Sequence, residues 1–427
     1  MERQFNAREQ AEYSRRHRAL VDAIRTAGFE HHVVTSSENI FYLTGATFDP
    51  LERPFFLIVG ANGSRAMLVP MLEVDHMHKA WGLSREALRF YREYPAPSGE
   101  GWSERLLDDN LLSGSFSFDD GTPFMVGEVL RNAGGHPSDL LADIRMVKSD
   151  WEIEQIERAA RYADWGVLQV MRAAWHGGSV AETYAPTQTL MRKIIREVPD
   201  WDALATKVIA AAWPAPLSAE PHSIPRMDDR LGAGPHVAMV LTRVNGYAAE
   251  CERTFFTISP TAEERETFAT MTRAREIAFQ MIQPGVACQD IDASVNVFLK
   301  AEGFGDWRIR LHRCGHGFGL GNHEPPWIAV GSPHVLNKNM LISIEPGIYT
   351  AGVGGYRHSD TVLVTEDGYR CLTQAPIAID ALVIGKTTVR HRFASYLTKR
   401  ALGLSRQRAA QIERTNLPPA RRGIELE

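Results

Sequence analysis

The chain has 427 residues, 44% of them hydrophobic, with a formal net charge of −5 and an isoelectric point near 6.3. That length can build two domains with separate cores, and the mild negative charge excludes a general attraction to nucleic acid or to anionic membranes. No apolar run is long enough to span a bilayer, and the opening MERQFNAREQAEYSRRHRAL is too charged for a secretory signal. Cys251, Cys288, Cys314 and Cys371 show no CxxC pairing, so neither a zinc ribbon nor a disulfide framework is suggested and a cytoplasmic location is expected.

In chain order, Leu20 and Ile24 belong to a helical stripe, HHVVTS and PFFLIVGANGSRAMLVP read as strands broken by a turn, and short elements continue to about Ile144. This predicts an α/β domain over residues 1–148. The pattern changes at VKSDWEIEQIERAARYADWGVLQVM, where Ser149 and Glu152 form a capping-box signature ahead of Ile153, Ile156, Ala160, Ala163, Val167 and Val170. A long amphipathic helix therefore opens a second domain, residues 149–385. A second helical run, AEERETFATMTRAREIAFQMI, is closed by Pro284 and Gly285, and strands lie between and after the two helices. The expected architecture of this domain is α+β, an antiparallel sheet covered by helices. Residues 386–427 form a basic tail with ten Lys or Arg against three Glu, read as a helix followed by a frayed end.

Five segments carry the chemistry. In HVAMVLTRVNGYAAECERTFFTI, Asn245-Gly246 between two β-rich runs predicts a tight hairpin. That register sets Met239 opposite Glu252 and Leu241 opposite Glu250, so two carboxylates and a methionine share one sheet face. HRCGHGFGLGNHEPP holds His312, His316 and His323 among glycines at every second position, which in an extended chain leaves one face bare for close approach of another backbone or a ligand. In NMLISIEPGIY, Glu345 ends an apolar strand, where a carboxylate is either paired or functional. Arg357 opens a strand in GGYRHSDTVLV, and His222 lies in the loop SAEPHSIP, where an ordinary surface histidine is the plainer interpretation.

HRCGHGFGLGNHEPP, SIEPGIY and the domain entry RMVKSDWEIEQIERAA resemble the creatinase, prolidase and aminopeptidase P family, M24, of pita-bread fold. The resemblance implies five metal-ligand positions, two Asp, one His and two Glu, which here are Met239, Glu250, His316, Glu345 and Ser359. Two of the five have lost their carboxylates, so no metal is expected. Creatinase is the metal-free precedent. By that resemblance His222 is the general base, Glu252 and Glu345 hold a cationic substrate, and His316 and His323 donate to the oxyanion or leaving group. Glu250, His312 and Arg357 complete substrate binding, and Arg53 reaches the substrate carboxylate from the partner of a homodimer. A second carboxylate-binding arginine of creatinase falls on Trp327. The function expected is a metal-independent, creatinase-like hydrolase cleaving a C–N bond of a small cationic, carboxylate-bearing molecule. Two alternatives stand beside it: a metal-dependent Xaa-Pro dipeptidase or aminopeptidase with one divalent ion at Glu250, His316 and Glu345, and a non-catalytic pseudo-peptidase that only binds.

Overall fold

The structure is a computed structural model that describes residues 5–93, 95–108, 111–384 and 387–404. The first domain is a mixed sheet of β1 (His31–Val34), β2 (Phe56–Gly60), β3 (Arg65–Pro70), β4 (Leu88–Tyr91), β5 (Phe116–Asp119) and β6 (His136–Ser138), in the order β4-β3-β2-β1-β5-β6. The uninterrupted apolar run of β2 is explained by burial on both faces. Leu57 and Val59 join Leu20 and Ile24 of helix Ala7–Thr26, whereas Phe56 and Ile58 join Val126 and Leu130 of helix Phe124–Asn132.

Helix Asp150–Ala173 begins where the sequence signature places it: the Ser149 hydroxyl accepts from the Glu152 N–H at 3.2 Å, and the Glu152 carboxylate accepts from the Ser149 N–H at 3.1 Å. Glu152 also lies 3.5 Å from Arg16, a fully buried guanidinium that donates to Glu12, to the Tyr42 carbonyl and to the Tyr247 hydroxyl. One arginine thus joins the first helix of the chain to the first helix and the central hairpin of the second domain.

The second domain contains β7 (Lys207–Trp213), β8 (His236–Val244), β9 (Tyr247–Phe255), β10 (Gly315–Gly317), β11 (Glu324–Ile328), β12 (Leu341–Ile344), β13 (Gly347–Thr350), β14 (Gly354–Arg357), β15 (Ser359–Val364) and β16 (Tyr369–Cys371). The main sheet runs β11-β10-β12-β15-β9-β8-β7, with β16 on β15 and every pairing antiparallel; β13 and β14 form a separate ribbon. Ala238, Val240, Ala249 and Cys251 face the same core as Ile156, Ala160 and Val167 of the long helix. The alternate residues of those strands, Met239, Leu241, Glu250 and Glu252, line a cavity on the opposite face. The extended run expected from 312 to 320 is a strand only over Gly315–Gly317, because the chain turns away after Gly317 to return as β11.

The helical part of the basic tail is Val389–Ala401, seated by an ion pair of Lys399 with Glu182 at 3.3 Å. The expected frayed end, from residue 405 onward, lies outside the described residues. No helix among the described residues is long and apolar enough to cross a membrane.

Candidate active site

The site is built from the β8–β9 hairpin. Asn245 and Gly246 both take positive φ, 46° and 92°, as a two-residue hairpin turn of this hand requires. The resulting register pairs Met239 with Glu252 and Leu241 with Glu250, as the sequence predicts. Strand β15 pairs on the other side of β9 with Ser359 opposite Glu252, so Ser359 shares their face. Arg253 and Asp360 point the other way, where they form a buried ion pair at 2.7 Å.

The glycines of the histidine segment let β10 pass between its neighbours. A Cβ on Gly315 would fall on the Ser343 carbonyl, one on Gly317 on the Pro325 carbonyl, and one on Gly319 on the Glu324 carboxylate. The close approaches are to backbone and to Glu324, which is itself tied to Arg145 at 2.5 Å and Lys148 at 3.4 Å. Glu324 therefore anchors the NHEPP turn against the domain entry and stands apart from the chemistry.

Around a cavity of about 510 Å³ the functional side chains converge. His316 is buried, with Nδ1 3.1 Å from the Gly317 carbonyl, which leaves Nε2 facing Glu345 Oε1 at 3.2 Å and Glu250 Oε1 at 3.9 Å. The Ser359 hydroxyl donates to the same Glu250 oxygen at 2.5 Å. The ring of His323 lies 4.0 Å from that of His316, centroid to centroid. Glu252 forms a buried ion pair with Arg357, and Arg357 donates to the Tyr349 hydroxyl at 3.2 Å. His312 closes the chain: Nδ1 is 2.8 Å from the Arg313 carbonyl, so it carries the proton and Nε2 accepts from Tyr349 at 2.6 Å. His312 is thus neutral, with both nitrogens engaged.

Electrostatics divides the carboxylates. Burial, reinforced by the charge of Glu345, pushes Glu250 up to about 8. Burial also pushes Glu252 up to about 7, although Arg357 opposes the rise. Burial alone would raise Glu345 as well, but the hydrogen bond and charge of His316, with Arg357 behind them, hold it well below the usual carboxylate range. His316 shows the reverse balance: burial favours the neutral ring, yet Glu345 and Glu250 raise it. Burial lowers His312 and His323 to about 4, so both are neutral near pH 7.

These donors fit one metal ion and do not fit two. Glu250, His316 and His323 each offer a ligand atom, all within 4.8 Å of one another, and Glu345 is adjacent. His316 Nε2 is buried without a hydrogen bond of good alignment, and its Nδ1 contact fixes the tautomer that presents Nε2 as a ligand. A second ion would need further carboxylates at Met239 and Ser359. A thioether is a poor ligand for a hard cation, and the Ser359 hydroxyl is already donated to Glu250.

The other expected site residues are placed as follows. His222 is exposed at the cavity wall with Trp213 and Ile224. Arg53 lies in the first domain, 2.5 Å from Glu93, and is absent from the lining of this cavity. Trp327 sits on β11 directly opposite His316. Sequence reasoning missed Tyr349, although SIEPGIY contains it, and it missed Arg313, which follows His312 and lines the cavity. A Ser-His-Asp grouping in the first domain, Ser117, His32 and Asp119, is sealed in the core and is structural.

Residues 154–366 match metallopeptidase family M24, and residues 16–146 match the Creatinase/Prolidase N-terminal domain. The Xaa-Pro dipeptidase of Pyrococcus horikoshii is 28% identical over 347 residues, 80% of this chain and 92% of that protein. YkvY of Bacillus subtilis, named as a candidate dipeptidase, is 30% identical over 372 residues, 84% of this chain and 96% of that protein. Among solved structures, the dipeptidase PepE of Mycobacterium ulcerans superposes with a TM-score of 0.75 at 26% identity, covering 88% of this chain and 99% of that one. These relatives overturn the expectation of a metal-independent, creatinase-like hydrolase without a cofactor. The physical reason is visible in the site. With Met239 and Ser359 in place of two carboxylates, Glu250, His316 and Glu345 still converge. Nor is Glu252 a bare anion awaiting a cationic substrate, because Arg357 already neutralises it.

Proposed function

The chain belongs to metallopeptidase family M24 and is a hydrolase acting on C–N bonds, and from that premise we propose that it is a metal-dependent dipeptidase of the Xaa-Pro type with a single divalent ion at Glu250, His316 and Glu345. The observation that carries this reading is the convergence of these three side chains on one cavity, with His323 beside them. When bound, a divalent ion would supply Lewis acidity to the carbonyl of the scissile amide, whose C–N bond gives way to a bond between the carbonyl carbon and the oxygen of a water. The chain's own residues do the rest. His323, neutral and exposed towards the cavity, donates a hydrogen bond to the carbonyl oxygen as its charge grows. His222, in a loop at the cavity wall, takes a proton from that water and passes it to the departing nitrogen. Arg357, Tyr349 and His312 form a hydrogen-bonded row that holds Glu252 and the cavity floor in place. A cavity of about 510 Å³ suits a substrate of dipeptide size.

The test is metal content measured together with turnover. Purified protein should hold about one divalent ion per chain, and hydrolysis of Xaa-Pro dipeptides should vanish on chelation and return when a divalent ion is restored. His316→Ala should lose both the ion and the activity. Dipeptide hydrolysis by metal-free protein, or two tightly held ions per chain, would refute the single-ion reading.

A further inference from the structure

The walls of the cavity carry two arginines, and only one of them is neutralised. Arg357 is paired with Glu252. Arg313 has no salt bridge and no side-chain hydrogen bond among the described residues, and its Nε is buried without an acceptor. Its guanidinium carbon lies 4.3 Å from the ring centroid of Trp327. Trp327 stands opposite His316 in the β10–β11 pairing, so it shares the face of the sheet that carries the donors of the site.

A guanidinium resting on an indole is held in one plane with its N–H groups directed outward from the rim, which pre-organises it for a planar, two-oxygen acceptor. Leaving a buried N–H without an acceptor is costly, and a ligand that provides one recovers that cost on binding. Arg53 cannot take this role within the same chain, because it is paired with Glu93 and lies outside the cavity lining. Resting on the dipeptidase reading above, we infer that Arg313, braced by Trp327, receives the free C-terminal carboxylate of the substrate and so restricts the enzyme to dipeptides. The scissile carbonyl then sits between this anchor and the Glu250, His316 and Glu345 group. A longer peptide would present an uncharged amide where the carboxylate belongs, and the guanidinium would lack its charged partner.

The experiment compares the divalent-loaded holoenzyme with Arg313→Met, Arg313→Lys and Trp327→Leu on an Xaa-Pro dipeptide and on its C-terminal amide, with L-proline binding followed separately by titration calorimetry. The wild type should prefer the free acid. Arg313→Met should raise KM for the acid by about 10- to 100-fold, the range expected for losing a charge-assisted pair, with little change in kcat or in hydrolysis of the amide. Arg313→Lys should recover part of the preference, and Trp327→Leu should weaken it, since the charge then persists without its platform. L-proline binding should fall in parallel with the loss of preference. If the dipeptide is hydrolysed but Arg313→Met keeps the wild-type ratio of acid to amide, the inference is overturned while the dipeptidase function stands. If no dipeptide is hydrolysed yet L-proline binds the wild type and not Arg313→Met, the carboxylate subsite stands and the dipeptidase reading fails. Equal L-proline binding by wild type and Arg313→Met overturns the subsite whatever the turnover.

Discussion

Replacing Glu324 by glutamine tests whether the active-site turn is held by charge. The Glu324 carboxylate is buried and accepts from Arg145 at 2.5 Å, from Lys148 at 3.4 Å and from the Gly321 N–H at 3.2 Å. Glutamine keeps the shape but leaves the buried Lys148 and the partly buried Arg145 without their anion, and breaking a buried pair in this way costs about 3–5 kcal/mol. The lower end of that range is expected, because Arg145 retains a bond to Asn39 at 2.7 Å. Lys148 can also shed its proton, its pKa being already lowered by burial. Urea denaturation followed by tryptophan fluorescence at pH 7 should therefore show a loss of about 3 kcal/mol. The pH dependence has a defined sign. Burial would raise Glu324, but Arg145 and Lys148 hold it below the usual carboxylate range. A carboxylate lowered on folding contributes stability that is fully present above its unfolded pKa of about 4.3 and is lost as pH falls through the folded value. The gap between wild type and Glu324→Gln should hold from pH 7 to about 5 and narrow only below about 4. A loss under about 1 kcal/mol at pH 7, or a gap that widens in acid, would show that the turn does not depend on this charge.

Two further predictions use the same unfolding assay. Gly319→Ala should destabilise by about 1–3 kcal/mol, since its Cβ would fall on the Glu324 carboxylate and force that paired group to move. A variant as stable as the wild type would show that the turn has room to give. Arg16→Met should cost about 3–5 kcal/mol, because Glu12 and Glu152 are both buried beside Arg16. It should also speed proteolysis between the domains, near the start of helix Asp150–Ala173; unchanged proteolysis with lowered stability would place the effect inside one domain.

The parts of this molecule that could be read from the sequence are those fixed by local chemistry. Asn245-Gly246 sets a turn with only one good register, so the pairing of Met239 with Glu252 followed from spacing alone. Ser149 and Glu152 cap each other three residues apart, so the start of the long helix did too. Partners distant in sequence were invisible. Nothing local shows that Arg357 meets Glu252 across 105 positions, that Arg145 and Lys148 meet Glu324, or that Ser359 donates to Glu250. That blind spot produced the error about the metal. Counting lost ligands along the chain suggested an abolished site, whereas the folded chain keeps the remaining donors within reach of one another.

The two substituted ligand positions are also linked to each other. Met239, Glu252 and Ser359 lie in one lateral row across β8, β9 and β15, with Glu252 opposite Met239 on one side and opposite Ser359 on the other. Where the family pattern carries acids at both ends of that row, this chain carries a single acid in its middle, paired to Arg357. The exchange removes two charges from the site and adds one that is internally neutralised. What is left unpaired by any arginine or lysine is Glu250 and Glu345, two carboxylates facing one imidazole. Without an ion that arrangement is uneven: Glu345 and His316 satisfy each other, and Glu250 is driven up to about 8 by burial and by the neighbouring charge of Glu345. One doubly charged cation balances both carboxylates and gives Glu250 a reason to ionise; a second would find no opposing charge in the row beside it. The proposed stoichiometry of one ion per chain therefore rests on charge as well as on ligand count.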